Sequence, residues 1–160
     1  MLVSRLLPED LGAAGEVARA TASTVDFEAE MARPWARSWV AREDPGGPAI
    51  AFLVAWVVAD ELHLIHIATH PSSRRKGAAR ALMKTFLSHA PAHKSRLVLL
   101  EVRRSNRAAV RLYRSFGFSA MGVRRAYYAD GEDAIEMMLT LDPETGAARP
   151  GRDEVELAEA

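Results

Sequence analysis

Cysteine is absent from the 160-residue chain, which removes disulfides, thiolate metal sites and a cysteine nucleophile together. An excess of one charge sign is also missing: Lys plus Arg and Asp plus Glu each total 21, for a formal net charge of +0. No broad electrostatic footprint for nucleic acid is therefore expected, and no direct nucleic-acid partner. The longest apolar run, Ala49 to Ala59, falls short of the roughly 20 residues that cross a bilayer. Met1 is followed by Leu2-Val3-Ser4-Arg5, with no basic start, long apolar core or small-residue cleavage site, so neither a signal peptide nor a membrane partner is expected. These absences predict a soluble cytoplasmic protein. No Gly-Lys-Ser or Gly-Lys-Thr element occurs, which argues against a P-loop. The five histidines show no metal-ligand spacing. His63 and His66, at odd separation on one expected strand, face opposite ways and read as packing or surface residues, and no metal is expected.

What is present is a 49% hydrophobic chain, enough for one domain with a proper core. Strands are expected over Leu2 to Leu7, Ser38 to Arg42, Ala49 to Val58, Glu61 to Thr69, Arg96 to Val102, Ser119 to Tyr128 and Ala134 to Leu141. Helices are expected over Leu11 to Thr21 and Phe27 to Arg33, after the turn that follows His70-Pro71, and after Ser105-Asn106-Arg107 until Gly117 stops the last one. The succession strand, helix, strand around residues 61 to 102 favours one parallel crossover in an otherwise antiparallel meander. This predicts an α/β fold with a mixed, mostly antiparallel sheet of about seven strands and about four helices. The domain is expected over residues 1–142. Beyond it the composition turns to Pro, Glu, Thr, Gly, Ala and Arg, which predicts a disordered tail over 143–160.

The segment from His70 to Arg80 places a basic, small-residue turn between a strand and a helix. The apolar stripe Ala79, Leu82, Met83, Phe86 and Leu87 has helical spacing, so the turn sits at a helix N-terminus. Unpaired N–H groups and the positive end of the helix dipole suit an anion there, and Gly77 and Ala79 let it come close. Arg74, Arg75 and Lys76 add positive charge. A basic loop before a helix also reads as a solvated surface turn, and the motif alone leaves both readings open.

Two polar residues stand out against apolar surroundings. Glu101 interrupts Leu97-Val98-Leu99-Leu100-Glu101-Val102 on the face it shares with Leu97 and Leu99, where a carboxylate needs a partner or a task. Tyr113 lies on the stripe Ala109, Leu112, Tyr113 and Phe116 of the following helix. Either could be structural: Glu101 at a solvated strand end, Tyr113 as a core aromatic.

The series Arg74-x-x-Gly77-x-Ala79, Leu100-Glu101-Val102-Arg103 with Asn106, and Leu112-Tyr113-x-x-Phe116-Gly117-Phe118 resembles the GCN5-related N-acetyltransferase (GNAT) superfamily over most of residues 1–141. With Arg124-Arg125-x-Tyr127-Tyr128 and Glu132-Asp133-Ala134, it is most similar to the RimI-like ribosomal-protein-alanine N-acetyltransferases. The resemblance implies a GNAT fold and transfer of acetyl from acetyl-CoA to a protein N-terminal amine, by direct transfer in a ternary complex since no cysteine can carry the acetyl. It also implies a ribosomal protein as the acceptor partner. By matching positions, Arg74, Arg75, Lys76, Gly77, Ala78, Ala79 and Arg80 would cradle the pyrophosphate. Ile67, Ala68 and Thr69 would pair with the pantetheine arm, Asn106 would contact the cofactor, Glu101 would be general base and Tyr113 general acid. Two positions depart from the family: Ala79 stands where glycine is frequent, and Pro34-Trp35 lies downstream of the usual Pro-Trp pair. Two other readings are an acetyltransferase of a small amine or antibiotic, and a non-catalytic acyl-CoA-binding module, which would need neither Glu101 nor Tyr113. Asp130, Glu132, Asp133 and Glu136 are expected to be solubilising acids rather than a landing site for a basic acceptor.

Overall fold

The computed structural model describes residues 1–157, and the chain forms two compact units. The first comprises Met1–Val58 and Leu64–His89. Strands β1 (Leu2–Arg5), β2 (Ala36–Arg42) and β3 (Ala51–Val58) pair antiparallel in registers running from Leu2↔Arg42 to Arg5↔Trp39 and from Ala36↔Trp56 to Ala41↔Ala51. Strand β4 (Glu61–Thr69) follows β3 in the sheet. Helices α1 (Leu11–Ala20) and α2 (Phe27–Ala32) bring Ala14, Val17, Ala18 and Phe27 onto Val40, Phe52 and Val54. Helix α3 (Ala78–Ser88) buries Leu82, Met83 and Phe86, and the Phe86 ring lies 6.2 Å from that of Trp39. Helices also explain why the inner part of β3, from Ala51 to Ala55, is buried on successive residues: a strand covered on both faces reads as a continuous apolar run.

One ion pair in this unit joins a buried carboxylate to a half-buried guanidinium. Arg42 Nη2 donates to Asp10 Oδ1 at 2.8 Å, while Asp10 Oδ2 accepts from the Leu7 N–H at 2.9 Å and Arg42 Nη1 donates to the Gly47 carbonyl at 2.8 Å. Removing one partner strands a charge out of water. Arg42→Met is therefore expected to cost about 3 kcal/mol of stability in urea denaturation; a loss below about 1 kcal/mol would mean that the pair behaves as a surface one.

The second unit comprises Ala59–His63 and the chain from Ala90 onward. The first residues of β4 run parallel to β5 (Leu97–Arg103), with Glu61↔Leu97, Leu62↔Val98 and His63↔Leu99 in register. Strand β5 pairs antiparallel with β7 (Ala134–Leu141) along its whole length, and β7 with β6 (Ser119–Arg124). Helix α4 (Arg107–Ser115) lies between β5 and β6 in sequence. The strand order is β1-β2-β3-β4 in the first unit and β4-β5-β7-β6 in the second. The expected mixed, mostly antiparallel α/β fold is thus the observed one, with four α-helices among the described residues.

One strand is shorter than expected. The strand expected to reach Tyr128 ends at Arg124, because Ala126 takes a left-handed φ of 49° and its N–H donates to Asp133 Oδ1 at 2.9 Å. The segment expected to be a tail from 143 makes local contacts among its described residues, which end at 157. Asp142 Oδ1 accepts from the N–H groups of Glu144 and Thr145, and with Arg149 these hold its carboxyl down at about 2. A short strand β8 (Ala148–Arg149) then pairs with β7. Asp153 accepts from the Ala120 N–H at 2.9 Å and pairs with Arg114. Polar turns and strand pairing supply these contacts where apolar residues are few. Residues 158–160 of the expected tail lie outside the described residues.

Candidate active site

In the first unit, β4 ends on Ile67, Ala68 and Thr69, all half-buried. The His70 N–H donates to the Ile50 carbonyl at 2.8 Å, and a 3₁₀ turn over Pro71–Ser73 is closed by Ser73 N–H on the His70 carbonyl at 2.9 Å. The chain then presents Arg74, Arg75, Lys76 and Gly77, all exposed, before α3 starts at Ala78. Arg75 and Gly77 have φ of 64° and 84°. No side chain caps α3, and its first helical bond runs from Ala81 N–H to Gly77 carbonyl at 3.0 Å. The N–H groups of Ala78 and Ala79 therefore have no acceptor within the helix. A Cβ built on Gly77 meets no atom within 4 Å, so the approach to those amides is open. Lys76 is shared with Glu43 at 2.6 Å in an exposed pair, a weak commitment that an anion can outcompete. The sequence-predicted residues from Arg74 to Arg80 thus occupy one loop and helix start, and the amide donors, open approach and cationic flank fit a diphosphate.

In the second unit, β5 alternates as its pattern predicts. Val98, Leu100 and Val102 are buried, and Leu97, Leu99, Glu101 and Arg103 are half-buried. Glu101 is held rather than solvated: Arg124 Nε lies 3.4 Å from its Oε1, and the Tyr127 phenol hydrogen-bonds its carboxylate, which raises the phenol's pKa. Tyr113, on α4, is 4% exposed and packs its ring 5.9 Å from that of Phe118. Burial, reinforced by the neighbouring Tyr128, pushes its phenol far above the ordinary value, so it stays a protonated donor at every working pH. Asn106 caps α4, its Oδ1 accepting from the Ala109 N–H at 3.2 Å. The cap explains Asn106 without a ligand and leaves its amide N–H₂ for one.

Arg124, Tyr127 and Glu136 emerge as partners of Glu101 only through strand register; no sequence spacing links them. Glu30 had no sequence signal either. It is a buried carboxylate at the end of α2 that accepts from Trp56 Nε1 at 2.8 Å and pairs with Arg33. His66, half-buried, has its pKa lowered by desolvation against the opposing effect of Glu30, and His63 bonds Glu61 at 2.8 Å. Among the described residues no group of three or more His, Cys, Asp or Glu side chains could hold a metal ion. The hairpin acids are already paired: Asp130 and Glu132 with Arg103, Asp133 with Arg104 and Glu136 with Arg124.

A model of the acetyltransferase (GNAT) family matches residues 5–118. The chain belongs to this family. Among GNAT relatives, the [ribosomal protein bS18]-alanine N-acetyltransferase of Escherichia coli strain K12 is 42% identical over 98 residues, which are 59% of this chain and 66% of that protein. The match therefore spans just under two thirds of that relative's length. A putative enzyme of the same name from Bacillus subtilis strain 168 is 32% identical over 113 residues, 70% of this chain and 74% of that protein. The crystal structure of the ribosomal-protein-S18-alanine N-acetyltransferase from Escherichia coli superposes with a TM-score of 0.77 at 34% identity, covering 87% of this chain and 92% of that one.

Proposed function

We propose that this GNAT-family chain transfers acetyl from acetyl-CoA to the α-amine of a protein N-terminus, and that the acceptor is the alanine N-terminus of a small-subunit ribosomal protein in the cytoplasm. The observation that carries the reading is the uncapped start of α3 behind Gly77, which supports diphosphate binding there. The relatives' acceptor supplies the choice among amines.

The coenzyme supplies an acetyl group already activated as a thioester. Arg74, Arg75, Lys76 and Arg80, with the amides of Gly77, Ala78 and Ala79, bind its pyrophosphate. The backbone of Ile67, Ala68 and Thr69 takes the amides of the pantetheine arm as a neighbouring strand would, and the Asn106 amide adds a contact. An N–H of Ala68 or Thr69 is the donor available to the acetyl oxygen as negative charge builds there. An α-amine has a pKa near 8, so much of it is protonated at neutral pH. Glu101 takes that proton, directly or through water. Tyr113, a buried protonated phenol, donates to the departing sulfur. With no cysteine in the chain, no acetyl-thioester on the protein intervenes.

Incubation with acetyl-CoA and either an alanine-starting ribosomal peptide or a panel of small amines, read by mass spectrometry, tests this. Acetylation confined to the peptide α-amine is expected. Acetylation of the small amines alone would overturn the acceptor, and coenzyme binding without transfer to either would overturn the catalytic reading.

A further inference from the structure

Glu101 and Glu136 are directly opposite in the antiparallel register of β5 and β7. Like charges in that position repel and destabilise a sheet, so the pair needs a reason to exist. Arg124, on the next strand, contacts both: its Nε lies 3.4 Å from Glu101 Oε1 and pairs more closely with Glu136 Oε1. The backbone is shaped for this bridge. The register between β6 and β7 shifts between Ala120 and Gly122, and a Cβ on Gly122 would lie 2.9 Å from Glu136 Oε2. The absent side chain gives Glu136 its room, and such a bulge re-aims the residues that follow it.

We propose that Arg124 is a positioning residue for Glu101: shared between two opposed carboxylates, it holds Glu101 aimed, with Glu136 as the counterweight that keeps the guanidinium from committing to Glu101 alone. The inference rests on the reading of Glu101 as general base and extends it to two residues with no direct part in the chemistry. The other groups facing Glu101 are Tyr127 and Tyr128 after β6, Arg103 on β5, already committed to Asp130 and Glu132, and His63 of β4, paired in register with Leu99 and bonded to Glu61. None of these bridges both carboxylates.

Opposite shifts follow. In R124Q, Glu101 faces Glu136 without a cation and its titration midpoint rises by about one pH unit. In E136Q, the whole guanidinium charge falls on Glu101 and the midpoint drops. The double variant returns close to wild type. Carboxylate ¹³C NMR of Glu101 in the substrate-free protein reads these midpoints without reference to activity. The acidic limb of kcat/KM should move with them. R124K should restore part of the midpoint but little of the rate, because lysine keeps the charge without the planar group that places Nε between the two carboxylates. Shifts of the same sign in both single variants, or an unmoved Glu101 midpoint, would overturn the proposal; E136Q, altering a partly exposed side chain, keeps the test open should R124Q fold poorly. Should the midpoints shift as expected while Glu101→Gln keeps full turnover, the bridge stands and the general-base reading falls.

Discussion

Glu101→Gln is expected to lower kcat/KM by about 10²- to 10⁴-fold, the usual worth of a positioned general base. The substitution keeps size and shape, and the side chain is 30% exposed, so folding should survive. Glutamine still accepts from Tyr127 and still borders Arg124; it cannot take a proton. The loss should therefore fall on kcat with little change in the KM for acetyl-CoA. It should also shrink as pH rises, because more of the acceptor amine then arrives deprotonated and needs no base. Initial rates across pH 6 to 10 check both features. A loss that is independent of pH would assign Glu101 to acceptor binding instead, and wild-type rates would remove it from the mechanism.

Gly77→Val is expected to raise the KM and Kd for acetyl-CoA by more than about tenfold while kcat at saturation changes little. Two effects combine. The φ of 84° is strained for any residue with a Cβ, at about 1–3 kcal/mol, and relaxing it turns the first amides of α3 away from a bound diphosphate. The branched side chain would also enter the space in front of those amides, where nothing now lies within 4 Å. Gly77→Ala separates the contributions, since it carries most of the strain and little of the bulk. Calorimetry should place its affinity between wild type and Gly77→Val. Equal affinities for all three proteins would show that the diphosphate is held elsewhere.

The two experiments probe features of unequal visibility in the sequence. The helix start behind Gly77 was legible because it is local: an apolar stripe of period 3.6 names the helix, and a glycine flanked by cations before it names the loop. Glu101 was legible for a similar reason, since strand alternation alone places it on the face of Leu97 and Leu99, which the structure leaves half-buried. The environment of Glu101 was not. Glu136 lies on β7 and Arg124 on β6, and their approach to Glu101 depends on register and on the irregularity at Ala120–Gly122. Composition counts apolar residues and cannot see the cap at Asp142 or the end of β7 with which β8 pairs.

Local pattern thus settled from the chain alone the order of strands and helices, that one crossover is parallel, and that a cationic turn precedes α3. Those features follow from periodicity and backbone stereochemistry, which act over a few residues. Tertiary structure alone decided that Arg124 bridges two opposed carboxylates, that Tyr113 is buried with its pKa raised and that Asp153 ties residues near the C-terminus to α4 and β6. Each of these depends on distance and desolvation between groups remote in sequence, and those quantities exist only once the strands have paired.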